Sequence, residues 1–506
     1  MRDVSDQPAS AVRLIRLWLT PVLLLALPTQ VVAFGRDGLW LALAVVSGPL
    51  LFLATQSRDG ASSQRGLNMP MARAALAVSA FMHLWANLDL IGGLSRDWGL
   101  PRWSGVAAAA LLVLGGVRWY SRSEGASQGW TLIMVGALAL PLALILGKTN
   151  LNPVQVYSQV SSASAFRFAP ESVWVTEGRA RSARHVQDWI EFSEEHRLTM
   201  ASAGVIRLAY SEGNRRVIEE RSLSEGQELV VRPGDRLRAD PGVRVRFEPG
   251  RRIPQAPVNG AAWTSGLLPS TQSLLGQLGL ALTLFGGAMT LPSFFLSGTG
   301  NRAARSSMAR GSVVLLVVAL WGQCWALYAA RYAPELYLEG VTASLLLQLP
   351  AVLFHQGWLS QSAVAVAVIG VLFAFLQSVP ALGLTLAACL DRRERPTLLV
   401  ALFVVGAGVV ALRETVPWWD LALLGFGLTA VTLAPLMTLS GPHPFANRVV
   451  GLGLALYLSL GVVGRTSVAG WFPSSMMNFP LLGALPVVLI LLLVTARLQR
   501  KSKQPP

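Results

Sequence analysis

Arginine and lysine are distributed along this chain in alternation, and that pattern limits its architecture more than any other feature. The polar gaps between apolar stretches fall into two sets. One set holds Arg2, Arg13, Arg16, Arg58, Arg65, Arg73, Arg118, Arg122, Arg302, Arg305, Arg310, Arg392, Arg393, Arg395, Arg448, Arg497, Arg500, Lys501 and Lys503. The short gaps of the other set hold only Arg36, Arg96, Arg102, Lys148, Arg331, Arg413 and Arg465. Short loops rich in Lys and Arg stay on the cytoplasmic side of a membrane. The pattern predicts a polytopic α-helical membrane protein with both termini cytoplasmic, in a bacterial-type cytoplasmic (inner) membrane.

Composition agrees. Only 14% of the 506 residues are charged and 53% are hydrophobic, against about 25% charged in soluble domains. A net charge of +15 would also suit nucleic-acid binding. The surplus is however spread over short loops between apolar spans, so no nucleic-acid partner is expected and membrane lipid is. The two cysteines, Cys324 and Cys389, both lie in apolar stretches with no C-x-x-C, which disfavours a disulfide framework, an iron–sulfur cluster or a Cys-rich zinc site.

A spanning helix needs about 20 mostly apolar residues. By that measure about twelve transmembrane helices are expected, near 14–34, 38–55, 74–94, 104–120, 130–148, 270–296, 311–330, 361–389, 397–413, 418–439, 449–466 and 478–497. The first reads as an uncleaved helix, not a signal peptide. The apolar stretch 343–358 is short and is broken by Pro350. If it crossed, the basic segments after it would face outward, so it is expected to be re-entrant or to lie at the interface, with Trp358 near the headgroups.

Residues 149–265 differ in kind. They hold 16 of the 42 basic and 14 of the 27 acidic residues and no run that could span. The expected organisation is a five-helix membrane bundle (1–148), an extracytoplasmic, periplasmic β-rich domain (149–265), and a seven-helix bundle (266–506). Val205–Tyr210, Val217-Ile218, Leu229–Val231 and Val243–Phe247 read as strands, with turns at Gly213-Asn214 and at Arg232-Pro233-Gly234-Asp235. They predict a small antiparallel sandwich or barrel. Ala180–Arg197 is expected as a helix on the sheet, and Asn150–Ala169 as a polar connector.

The spans are nearly free of charge. The exception is the third, with His83, Asn87 and Asp89. Ionisable residues at membrane depth default to a functional hypothesis. His83 and Asn87 share a helix face, and Asp89 lies about 120° away. With His355 they are the candidates for substrate or proton handling. Weaker candidates for catalysis are the outer-side acids Glu335, Glu339, Glu414 and Asp420, near the aromatic run Trp321, Trp325, Tyr328 and Tyr332. Trp418 and Trp419 are natural interface anchors. No phosphate loop, nucleophile elbow, H-E-x-x-H or dinucleotide fingerprint occurs, so no cofactor and no metal is expected.

Three functions remain. The first is a component of an envelope or membrane-protein complex whose outer β domain, through residues 149–265, binds a partner protein or glycan. The second is a transporter or flippase of a lipid-linked or amphipathic substrate, with Pro141, Pro292, Pro380 and Pro435 breaking helices along its path. The third is a membrane glycosyltransferase-like enzyme acting on lipid-linked glycan.

Overall fold

The computed structural model describes residues 11–34, 39–55, 69–97, 100–120, 124–168, 173–175, 189–212, 215–240, 243–254, 256–265, 274–292, 302–342, 345–354, 357–390, 396–413, 418–438, 446–463 and 480–502. Two helices, α1 (Ala11–Trp18) and α2 (Pro21–Phe34), occupy the first apolar stretch. A single helix was expected there, and the break has a local cause. The Thr20 hydroxyl accepts from the Leu23 amide at 3.3 Å, and Pro21 stands at the first position of α2. Together they form a helix start inside an apolar run.

The chain continues through α3 (Leu39–Thr55), α4 (Pro70–Asp97), α5 (Arg102–Tyr120), α6 (Glu124–Lys148) and the short α7 (Pro153–Ser161). After the β strands come α8 (Gly260–Ser265), α9 (Leu274–Met289) and α10 (Arg302–Tyr332), a 3-10 helix (Pro334–Thr342) and α11 (Leu345–Leu353). The last five helices are α12 (Trp358–Cys389), α13 (Pro396–Ala411), α14 (Trp418–Thr438), α15 (Ala446–Val463) and α16 (Leu481–Ser502). Among the described residues, α4, α6, α10, α12 and α14 contain stretches long and apolar enough to cross a membrane, and seven other apolar helices are shorter. This is a membrane-embedded, mostly helical protein with an inserted β domain. Pro141, Pro380 and Pro435 lie inside continuous helices, so these prolines do not interrupt the bundle. Pro292 follows the end of α9.

Helix α11 is nine residues long, about 14 Å at 1.5 Å per residue, which falls well short of the ~30 Å hydrocarbon core. Leu345, Leu346 and Leu349 are fully buried, and α11 packs on α2, α6, α10 and α12.

The β domain comprises β1 (Val173–Val175), β2 (Ile190–Glu191), β3 (His196–Met200), β4 (Gly204–Glu212), β5 (Arg215–Leu223), β6 (Glu228–Val231), β7 (Arg236–Ala239) and β8 (Arg244–Phe247). They form two four-stranded antiparallel sheets, ordered β1-β8-β3-β6 and β2-β7-β4-β5. Alternation in sequence becomes alternation in space: Val245 and Phe247 are buried while Arg244 and Arg246 are exposed. Gly234 has φ +87°, as the third residue of a Pro-Gly turn requires. Asp235 closes that turn by accepting the Arg232 amide at 2.9 Å. The helix expected over 180–197 is corrected where it is described, since Ile190-Glu191 and His196–Met200 are strands. Period-2 burial of Ile190, Phe192, His196 and Leu198 against the facing sheet wins over the weak helical spacing. Residues 180–188 and the Gly213-Asn214 turn lie outside the described residues.

The segments entering and leaving the domain are bonded to each other. The Phe168 amide donates to the Arg251 carbonyl at 2.9 Å, that of Ile253 to Phe166 at 2.9 Å, and that of Gly260 to Ala163 at 2.7 Å. A Cβ on Gly260 would sit 1.6 Å from the Val160 carbonyl oxygen, so only glycine fits where α8 crosses the end of α7. Replacing Gly260 with alanine is expected to cost about 1–3 kcal/mol through overpacking. Faster proteolytic release of the sandwich from the full-length protein, relative to wild type, is the readout.

Candidate functional site

Helix α4 is the polar centre of the bundle. Its spanning window is 67% buried inside the protein, against 33% for α6, because α4 packs on α5, α12, α13 and α14. That burial explains how α4 tolerates Ser79, His83, Asn87 and Asp89, all buried. Polar groups at membrane depth persist where protein surrounds them.

Each of these groups has a different fate. The Ser79 hydroxyl donates to the Gly425 carbonyl at 2.8 Å. Gly425 allows α14 to come this close, since a Cβ there would stand 3.0 Å from His83 Nε2. The His83 ring packs edge-on against Phe426 with centroids 4.7 Å apart. Asn87 Nδ2 donates to the His83 carbonyl one turn back, at 2.7 Å. His83 Nε2 and Asn87 Oδ1 have no hydrogen-bond partner among the described residues. Chemically, an imidazole nitrogen and an amide oxygen one turn apart can hold a proton or one small polar group.

Asp89 stands apart from that pair, as its helical angle dictates. It accepts from the Arg102 guanidinium at the start of α5, and Arg102 also donates to the Ala411 carbonyl at 2.8 Å. One guanidinium thus joins α4, α5 and the carboxyl end of α13. The Asp89 charge is balanced by a cation, and a cation at a helix carboxyl end is favourable in its own right. Sequence reading treated Arg102 as a loop residue and missed this. Part of the signal was present: the α4–α5 connection is short enough to form a hairpin, and the long Arg102 side chain runs back past Gly92 toward Asp89.

The acids expected as weaker catalytic candidates are placed differently from one another. Glu335 is buried in the 3-10 helix, whereas Asp420 is exposed in the first turn of α14. Glu339 belongs to the same 3-10 helix as Glu335, but its side chain, like Glu414 and His355 entirely, lies outside the described residues. Among the described residues, no group of three or more His, Cys, Asp or Glu side chains is arranged to hold a metal.

The aromatic run on α10 points inward. Trp325 and Tyr328 are fully buried, and Trp321 Nε1 donates to the Leu138 carbonyl of α6 at 3.0 Å. Trp418 and Trp419, expected as interface anchors, are also buried. Their rings pack edge-on against each other, centroids 6.2 Å apart.

A second constellation joins the sandwich to the bundle. Tyr337 of the 3-10 helix stacks at a tilt on Phe166 in the domain neck, with centroids 5.3 Å apart. Burial pushes the Tyr337 phenol up from its ordinary range, opposed by the neighbouring Trp263 indole. The Tyr328 hydroxyl donates to the Asn150 carbonyl, and Arg331 Nε donates to Gln159 Oε1 at 3.1 Å.

Inside the sandwich, His196 is buried against Phe168, Phe192 and Phe247, with centroids 5.0–6.3 Å away. Burial lowers its pKa below the ordinary value of 6.5; Glu194 and Glu248 oppose this and Arg251 reinforces it. Compared with known proteins, the chain matches no family model, and no curated protein is similar enough to count as a relative.

Two outcomes follow from this geometry. Removing Asp89 alone, as D89N, leaves the Arg102 cation buried, at an expected cost of about 3–5 kcal/mol. The double variant D89L/R102M should recover most of that loss, measured as thermal stability in detergent. For His196, folding favours the neutral ring. Its contribution is therefore full above the unfolded value near 6.5 and is lost as pH falls through the lower folded pKa. Sandwich stability followed by denaturant or proteolysis should drop between pH 7.5 and 5, and H196L should flatten that slope.

Proposed function

We propose that the protein is a non-enzymatic, multi-pass component of a bacterial-type inner-membrane assembly that holds a β sandwich rigidly on the periplasmic side for a partner protein or glycan. In this reading the twelve apolar helices all cross, both termini are cytoplasmic and α11 is re-entrant. The Lys and Arg alternation supports that orientation.

The observation that carries the reading is the seam. A freely tethered domain would hang on open linkers. Here the entering and leaving strands are bonded together, and the neck is packed on the 3-10 helix through Phe166 and Tyr337. Fixed placement serves recognition, because less ordering entropy is lost when a partner binds. A surface suited to that partner is the edge strand β5, nine residues long and paired on one side only, with β4. Ile218 on it is 62% exposed. Edges of this kind accept an added strand, and the flanking Arg and Glu residues of β5 keep it from self-association.

The test is photo-crosslinking from position 218 in native membranes, with the full chain present. A discrete adduct, reproduced as a stoichiometric complex by native mass spectrometry, is the expected result. A lone monomer with no adduct from position 218, or from the exposed Val230 on the other sheet, would remove the support for this function.

A transporter reading has one observation in its favour: the buried His83 Nε2 and Asn87 Oδ1 without partners among the described residues. Flux of an amphipathic or lipid-linked substrate in proteoliposomes that falls at least tenfold in H83A would favour it over the scaffold.

A further inference from the structure

We infer that α7 is an interfacial helix, and that the stripe formed by Leu151, Val154 and Tyr157 is buried in the headgroup boundary of the outer lipid leaflet, level with Trp358. The inference rests on the membrane-embedded reading and adds a lipid-contact site outside the spanning helices. Sequence reading had taken this segment as a polar connector.

The first observation is the helix itself. Asn152 caps it, accepting from the amides of Val154 and Gln155 at 3.1 and 3.3 Å, and Pro153 occupies its first turn. Val156 and Val160 are buried on one face, toward α8 and α10. Away from that face Val154 and Tyr157 are 76% and 48% exposed, and Leu151, just before the Asn152 cap, is 77% exposed. At 100° per residue Val154 and Tyr157 lie about 60° apart around the helix. With Leu151 at the helix start they form an exposed apolar patch, of the kind that marks a contact surface.

The second observation is depth. The apolar part of α6, Gly129–Lys148, has 20 residues, about 30 Å of helix, which is the thickness of the hydrocarbon core. Its end therefore lies at the membrane boundary. Helices α6 and α12 run antiparallel, with Thr131 donating to Gln377 at 2.8 Å and Leu138 against Gly370. Carried along both helices, that register brings Lys148 level with Ser360 and so with Trp358, which is 78% exposed. Lys148 and Arg331 both lie over aromatic rings, Phe354 at 4.9 Å and Tyr332 at 5.4 Å. Cations and amphipathic rings gather at this depth. Leu151 follows three residues after Lys148.

The third observation is orientation. Asn150 is tied to Tyr328 and Gln159 to Arg331. The two anchor points on α10 are three residues apart, about 4.5 Å of rise, while residues 150 to 159 of the α7 segment extend about 13 Å. The helix therefore crosses α10 near its outer end and does not run alongside it, so it lies close to the membrane plane. A helix in that plane, polar on its edges and apolar on one exposed face, inserts that face into the headgroup–acyl boundary.

The experiment places a nitroxide at V154C in the full-length protein, with C324A and C389A, in nanodiscs of phosphatidylethanolamine and phosphatidylglycerol. A second label at L402C on α13, where the side chain is 63% exposed, serves as the deep reference. Collision with oxygen is compared with collision with a water-soluble nickel chelate. The expected result is an oxygen-to-nickel ratio at V154C several-fold above that of a water-exposed label and below that of L402C. A water-like ratio at V154C with a lipid-like ratio at L402C overturns this inference alone. Water-like ratios at both positions overturn the membrane reading beneath it. A label shielded from both reagents overturns the inference as well, because protein and not lipid would then cover the stripe.

Discussion

A charge or an open backbone group cannot be left bare in hydrocarbon, and the architecture follows from meeting that condition at α4. This helix carries more polar side chains than a lipid-facing span tolerates, so it sits where other helices surround it. Arg102 supplies the cation that Asp89 needs and, with the same guanidinium, takes up a carbonyl at the end of α13. Gly425 lets α14 come close enough for Ser79 to reach its backbone. The less polar helices then form the outer layer: Leu111, Leu132, Val313, Leu402 and Ile490 are all exposed, as lipid-facing side chains should be.

The same rule explains the end of the bundle next to the β domain. The rings of Trp325 and Tyr328 pack there as core, while Lys148 and Arg331 lie over the rings of Phe354 and Tyr332. The neck is the transition. Its entering and leaving segments bond to each other, and Phe166 against Tyr337 makes the junction a packed contact. Helix α7 lies at the same level, tied to α10 at two points.

Much of this was legible in the residues. Each of the twelve apolar stretches carries helix, and the Pro-Gly turn and the Val243–Phe247 alternation were read correctly, because hydrophobic period and turn chemistry act locally. The misreadings share a different cause. The helix expected over 180–197 failed where described because residues 190–200 answer to a facing sheet distant in sequence. The connector before the domain is a capped helix because Asn152 and Pro153 set its start, while Val156 and Val160 have a surface to cover. The tryptophans at 418 and 419, expected at the interface on residue type, are buried within the protein and pack edge-on against each other. For the site, the sequence singled out His83, Asn87 and Asp89, and it had no means of dividing them: Asp89 belongs to an ion pair, while the His83 ring packs on α14 and Asn87 bonds back to the His83 carbonyl.

Taken alone, the sequence determined that the protein is built of long apolar helices with a β-rich insertion between them, and which of those helices carries the polar residues. Those properties depend on local composition and period, with hydrocarbon acting as a uniform solvent along the chain. The tertiary structure decided which polar groups are balanced, how the sandwich is held, and which apolar side chains remain exposed at the boundary. Those outcomes depend on which helices become neighbours, and a partner hundreds of residues away leaves no mark in the stretch it covers.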